Sequence, residues 1–321
     1  MGQERGRAHH KTQTTCAPAD RLVVMTAPRQ ILRDQTYLLT RRCTQRQFLL
    51  TPSPETNQNI MYCLALAAHH TGVLLHAACF MSNHWHGVVT DPNARLPEFL
   101  ERFHRLLAKC QNALLARREN FWSLEKTSVV LLASPAAVLE KMAYTLANPT
   151  SAGLVDSPLD WPGVISSYRE WASYMVERPS IFFDRFGRQP QKIELKFVRP
   201  KISLELSDDE FIGALQQATL DNVERAKSAR TALGHGVIGA AAVLRQAPTS
   251  APASPAPFLN AKPRLASKSP AHRVQAIRTM VTFLRAYRQA WCQWREGVRD
   301  VLFPAGTYAL RVHSRVACAP E

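Results

Sequence analysis

Two apolar runs, Val73 to Met81 and His84 to Thr90, stand either side of the dipeptide Ser82-Asn83. Each run has strand length, and a two-residue polar break between such runs predicts a tight β-hairpin. A lone hairpin is at best marginal in water, so the rest of the chain must supply strands beside it and helices over it. The second strand carries His84 and His86 two positions apart. Successive side chains on a strand leave opposite faces, so both imidazoles share one face and Trp85 takes the other. Two adjacent imidazoles are a metal-binding arrangement, because histidine is the commonest metal ligand. By itself the pattern is weak evidence, since two ordinary surface or core histidines are the plainer account of it, and a further ligand must come from elsewhere in the chain.

The flanking segments predict what surrounds the hairpin. Gln35 to Cys43 reads as a strand. Glu55 to His70 and Leu96 to Arg117 carry apolar residues at helical spacing, among them Ile60, Leu64 and Ala67 in the first and Phe99, Phe103, Leu107 and Leu114 in the second. Ser128 to Ala133 gives a fourth strand. The order β-α-β-β-α-β predicts an α+β fold, a ferredoxin-like split βαβ antiparallel sheet with helices on one face and the other free to hold a site. A mainly helical C-terminal extension follows.

A further helix is predicted over Ser134 to Asn148. Ser134 suits the N-cap and Pro135 the first helical turn, while Pro149 predicts a stop at Asn148. Val138, Leu139, Met142 and Leu146 make its apolar stripe, and Tyr144 and Asn148 fall on the opposite side, one turn apart. An exposed tyrosine and a polar helix-end residue would be the plain account of these two. Taken together, however, MSNHWHGVV, then AYTLANPTSAGLV, then WPGVISSY resemble the single-tyrosine HUH transposases, and within them the REP-associated tyrosine transposase branch. The resemblance spans about residues 35–175. It implies a nucleophile at Tyr144 and a Mg²⁺ or Mn²⁺ ion held by His84, His86 and Asn148. It also implies DNA strand cleavage and transfer through a 5′-phosphotyrosine, on single-stranded or hairpin DNA. The sequence departs from the family at Thr150-Ser151, where relatives carry a basic residue.

The net charge of +15 and isoelectric point near 9.9 favour a polyanionic partner. Residues 1–50 hold nine Lys or Arg against three acids and residues 261–321 eleven against three, so nearly all the excess lies at the two ends. Arg41, Arg42 and Arg46 near the end of the first strand are candidate phosphate contacts, and Lys141, one turn before Tyr144, is a candidate to steady the tyrosinate or the phosphate. Trp161, Tyr168 and Trp171 are aromatics that either stack on bases or fill the core. The absence of G-x-x-x-x-G-K-[ST] argues against a nucleotide cofactor. Seven scattered cysteines without C-x-x-C spacing predict reduced thiols and a cytoplasmic protein rather than a zinc ribbon. No apolar run suggests a membrane span.

Five segments are expected. Residues 1–34 are a basic tail and 35–175 the catalytic domain. Residues 176–246 form an α/β extension that includes a helix from Asp208 to Leu233. Residues 247–271 are a Pro/Ala/Ser-rich linker, and 272–321 hold a basic helix to Trp294 and a closing strand over Gly306 to Val316. The relatives act as monomers or as homodimers, so either state is open. Two other functions fit the same residues: a catalytically retired DNA-binding protein, and a metal-dependent phosphodiesterase that uses water.

Overall fold

A computed structural model describes residues 28–182, 184, 186–201, 206–253, 263–314 and 316–321. The elements run β1 (Gln35–Arg42), α1 (Pro54–Thr71), β2 (Leu74–Met81), β3 (His84–Asp91), α2 (Leu96–Leu114), β4 (Ser128–Leu132), α3 (Pro135–Ser151), β5 (Ser173–Glu177), β6 (Lys192–Lys196), α4 (Asp208–Ala232), α5 (Ala240–Leu244), β7 (Leu265–Ala266), α6 (Pro270–Arg295) and α7 (Tyr308–His313). The fold is mixed α+β. The main sheet has the order β2-β3-β1-β4-β7, antiparallel from β2 to β4 and closed at its edge by the parallel β7. β5 and β6 make a separate antiparallel pair.

The hairpin forms where the sequence places it, and Ser82 and Asn83 are its turn. The helices are begun by the expected chemistry. Ser53 and Ser134 accept hydrogen bonds from the backbone N–H of Thr56 and Ala137, and Ser207 with Glu210 forms a full capping box at α4. The Asp91 carboxylate accepts from the N–H groups of Arg95 and Leu96 at 2.9 and 2.6 Å, which starts α2 directly from the end of β3.

Two cores lie on the two faces of the main sheet. On one face Tyr37, Leu39, Phe80, Trp85 and Val89 pack with α1 and α2 through Ile60, Phe99, Phe103 and Leu107. On the other, Leu38, Ala77, Val88 and Val130 pack with Val138, Met142 and Leu146 of α3 and with Phe211 and Leu215 of α4. The expectation of helices on one face only is therefore corrected. The stripe on α3 needs an apolar surface, and the alternate residues of the strands provide one on the far side of the sheet.

Other expectations are corrected by packing. α3 runs through Pro149 to Ser151, because Leu146, Ala147, Pro149 and Thr150 are all buried and tertiary contact outweighs the hydrogen bond that proline removes. The segment Gly306 to Val316 holds the helix α7 rather than a strand, with only a bridge between Phe303 and Cys318 beside it. The stretch 247–271 is more than a linker, since Leu265 and Ala266 pair with Leu131 and Leu132 of β4. Residues 28–34 are held rather than loose: Ile31 is buried and its N–H donates to the Gly306 carbonyl at 3.0 Å. The sequence does not foresee β5, and β6 supplies a strand to the α/β extension expected over 176–246. The rest of the basic tail with His9, His10 and Cys16, residues 202–205, and the middle of the linker lie outside the described residues. Trp161 and Tyr168 are buried and Trp171 packs against Phe211, so these rings fill the core rather than face bases. Among the described residues Cys43, Cys63, Cys79 and Cys110 are buried thiols outside any disulfide. Among the described residues no helix is long and apolar enough to cross a membrane.

Trp85 explains the glycine that follows the histidine pair. Its ring stacks on Phe80 with centroids 5.4 Å apart and meets Phe103 edge-on at 5.1 Å, so it lies flat along the strand over Gly87. A Cβ at Gly87 would sit 2.6 Å from the Trp85 ring. Gly87→Ala should therefore destabilise the protein by about 1–3 kcal/mol through overpacking. A lowered urea midpoint with an unchanged slope checks this.

Candidate active site

β3 aims His84 and His86 away from Trp85, onto the face covered by α3. The two imidazoles are perpendicular, with ring centroids 4.9 Å apart. β1 lies alongside in a register that sets Thr40 opposite His86 and Arg42 opposite His84. Thr40 Oγ1 is 2.9 Å from His86 Nδ1, and His84 Nδ1 is 2.6 Å from Asn83 Oδ1.

α3 brings Tyr144 to this pair. Its neighbours in sequence, Ala143 and Thr145, are buried, but Tyr144 itself is 43% exposed. The Tyr144 ring stands edge-on to His86 with centroids 5.5 Å apart. Asn148 follows one turn later and is buried, not on a solvent face as its place opposite the apolar stripe predicts. The sequence pattern marks which side of α3 is apolar, but it cannot show that the folded chain also covers Asn148 near the C-terminus.

The four candidate cations separate cleanly. Arg41 turns to the other face of the sheet, where its guanidinium donates to Thr127 Oγ1 and to the Ser123 carbonyl, both at 3.1 Å. Arg42 and Arg46 lie near enough to the histidines for their charges to act there. Lys141 ion-pairs with Glu140 at 2.8 Å, with its ammonium 5.8 Å from the centre of the Tyr144 ring. Glu140 also meets Lys268 at 3.4 Å. The strand register and its pleat account for the division: Arg41 and Arg42 are adjacent and must leave opposite faces.

The electrostatics keep both imidazoles neutral. Burial pushes His84 down to about 4, with the charges of Arg42 and Arg46 adding to it. Burial holds His86 well below the ordinary histidine value, helped by His84 and Arg42. A neutral imidazole offers a lone pair to a metal, and a proton on it would block binding. The two imidazoles suit a divalent ion, since both are neutral and both have Nδ1 engaged by a partner, the usual support for ligating histidines; the third ligand that the resemblance implies is the Asn148 amide. Among the described residues no group of three or more His, Cys, Asp or Glu side chains gathers, so the set depends on the neutral amide.

The sequence singles out neither Thr40 nor Asn83. Thr40 needs the strand register to be seen, while Asn83, next to His84, reads as a turn residue.

No family model matches this chain, and no curated protein matches it. Among solved structures, a REP-associated tyrosine transposase bound to a REP hairpin is 17% identical, covers 42% of this chain and 79% of its own, and has a TM-score of 0.34. A Deinococcus radiodurans R1 protein assigned as a transposase is 18% identical, covers 33% of this chain and 85% of its own, and has a TM-score of 0.26.

The buried histidines make stability depend on pH. His76 is pushed down to about 4 and His104 to about 3, each mainly by burial. The unfolded chain takes up these protons near pH 6.5, whereas the folded protein excludes them until about pH 4. Stability should therefore be full above pH 6.5 and fall steadily as pH drops towards 4. Urea midpoints of the chelated protein at pH 7.5 and pH 5 should differ, the lower pH giving the lower midpoint. Equal midpoints would contradict the burial of these rings.

Proposed function

We propose that this protein is a single-tyrosine HUH strand transferase of the REP-associated transposase type, which cuts and rejoins single-stranded or hairpin DNA at a site holding Mg²⁺ or Mn²⁺. The observation that carries this is the placement of the half-exposed Tyr144 beside His86, on the one face of the sheet that also presents His84. The antiparallel order β2-β3-β1-β4, with the histidines on a central strand, supports the ferredoxin-like core implied by the resemblance.

His84, His86 and Asn148 would hold the ion, which supplies charge neutralisation at the scissile phosphate. Tyr144 is the nucleophile. Its hydroxyl oxygen forms a bond to phosphorus as the bond from phosphorus to the 3′-oxygen breaks. The tyrosine proton is lost, and the departing 3′-oxygen gains one to become a hydroxyl. The product is a 5′-phosphotyrosine, and attack by another 3′-hydroxyl reverses the step at a new junction. The phosphate ester stays at the energy of the bond that was cut, so no nucleotide is consumed. The Tyr144 side chain starts from a rigid helix anchored by Val138, Met142 and Leu146, which favours one line of attack. Arg42 and Arg46 suit the DNA backbone on the histidine side. Arg41 has no part in this contact.

The test is a denaturing gel of the protein mixed with labelled single strands carrying imperfect hairpins, with Mn²⁺ or with EDTA. A protein-linked band should appear only with metal. Tyr144→Phe should remove it while DNA affinity stays within about twofold of the wild type, and His84→Ala and His86→Ala should abolish it. Metal-dependent cutting that survives Tyr144→Phe would instead identify a hydrolase using water. Binding without either product would identify a retired DNA-binding protein.

A further inference from the structure

We infer that Asn83 is a positioning residue that locks His84 in the tautomer protonated at Nδ1, leaving Nε2 as its metal-binding lone pair. The inference rests on the strand-transferase function proposed above and concerns how its ligand pair is prepared.

The amide of Asn83 is clamped from two sides. Its Nδ2 donates to the backbone carbonyl of Arg46 at 3.1 Å, and its Oδ1 lies 2.6 Å from His84 Nδ1. A carbonyl oxygen can only accept, so the Arg46 contact settles which end of the amide is the nitrogen. The oxygen must then face His84. Amide oxygen has no hydrogen to give, so the short contact requires the hydrogen on His84 Nδ1. The remaining nitrogen, Nε2, carries the lone pair.

The clamp is itself held by backbone. Gln45 and Arg46 both adopt left-handed conformations, with φ of 48° and 60°, which residues other than glycine seldom take. This brings the Arg46 carbonyl round to the hairpin turn. The same loop is tied to that turn by the Cys43 N–H to the Asn83 carbonyl at 2.8 Å and the Leu50 N–H to the Ser82 carbonyl at 2.8 Å. The hairpin turn, the loop after β1 and the imidazole are therefore one hydrogen-bonded unit. His86 differs. Its Nδ1 meets the Thr40 hydroxyl, which can either donate or accept, so that contact orients the ring without choosing the tautomer. The fixed partner matters because ligating histidines hold their tautomer and angle through the other nitrogen, and removal of such a partner typically weakens metal binding about 10- to 100-fold.

The experiment uses the full chain, labelled with ¹⁵N-histidine and free of metal, at pH 7. Long-range ¹H–¹⁵N spectra distinguish a protonated Nδ1 from a protonated Nε2, and the His84 signals are assigned by their loss in His84→Ala. The wild type should show His84 protonated at Nδ1. Asn83→Ala should move it towards the Nε2–H form that free histidine prefers, and should weaken Mn²⁺ binding about 10- to 100-fold in an EPR titration. Asn83→Asp keeps the acceptor while losing the donation to the Arg46 carbonyl, and it should keep the Nδ1–H signature, which separates loss of the acceptor from damage to the turn. A wild-type His84 protonated at Nε2, or an unchanged tautomer in Asn83→Ala, overturns the inference. These signals need no bound metal, so a wild type that fails to bind Mn²⁺ would count against the proposed function alone.

Discussion

The pleat of one strand divides this molecule. β3 sends Trp85 into the core beneath α1 and α2, and sends His84 and His86 to the face covered by α3. The two faces are coupled because Trp85 is anchored on both sides of its ring. Phe80 and Phe103 pack on it, and its Nε1–H donates to His104 Nε2 at 3.2 Å. A slip of one residue in the pairing of β3 would carry Trp85 out of that core and bury the histidines in its place. The register that satisfies the tryptophan is thus the register that presents the imidazoles. Gly87 serves the same end, since only a residue without a side chain lets the indole lie along the strand.

Much of this was legible in the chain. The hairpin, the six elements of the βαβ-β-αβ order and the cap at Ser134 follow from local pattern, and local pattern is enough where an element's own residues decide its form. The side of the sheet on which α3 sits is a different kind of fact. It depends on which alternate residues of β1, β2, β3 and β4 remain uncovered once α1 and α2 are in place, and Leu38, Ala77, Val88 and Val130 settle it together although they are far apart in sequence. The C-terminal half fails for a related reason. Leu265 and Ala266 form a strand only because the β4 edge is there to pair with, and the segment around α7 offers too little periodicity to tell strand from helix.

The candidate site shows the same boundary. His84 and His86 are legible from period two, and the separation of Tyr144 and Asn148 from period 3.6. The closeness of Tyr144 to His86 is not, because it joins a helix and a strand that are 58 positions apart. The arginines illustrate what register adds. Arg41 and Arg42 look equivalent in sequence. The first is spent on Thr127 and Ser123 across the core, while the second stands across from His84. Asn83 was passed over because turn chemistry is a sufficient reason for asparagine at such a position, and its second task appears only when the Arg46 carbonyl is in place.

The charge on the proposed ligand set has a physical consequence. His84 and His86 are neutral, and Asn148 brings only an amide dipole, so the proposed set offers a divalent ion no anionic ligand. The nearby charges of Arg42 and Arg46 oppose a cation. A hard ion such as Mg²⁺ favours oxygen ligands and usually draws on carboxylates or substrate phosphates. With carboxylates missing from the set, a DNA phosphate is the natural anionic ligand, and the arginines that repel a bare ion attract that phosphate. Under the proposed function, ion and DNA therefore strengthen each other's binding, as reciprocal linkage requires. In the proposed reaction such a site would leave the ion's positive charge undiminished by its ligands, available at the phosphate where charge would develop.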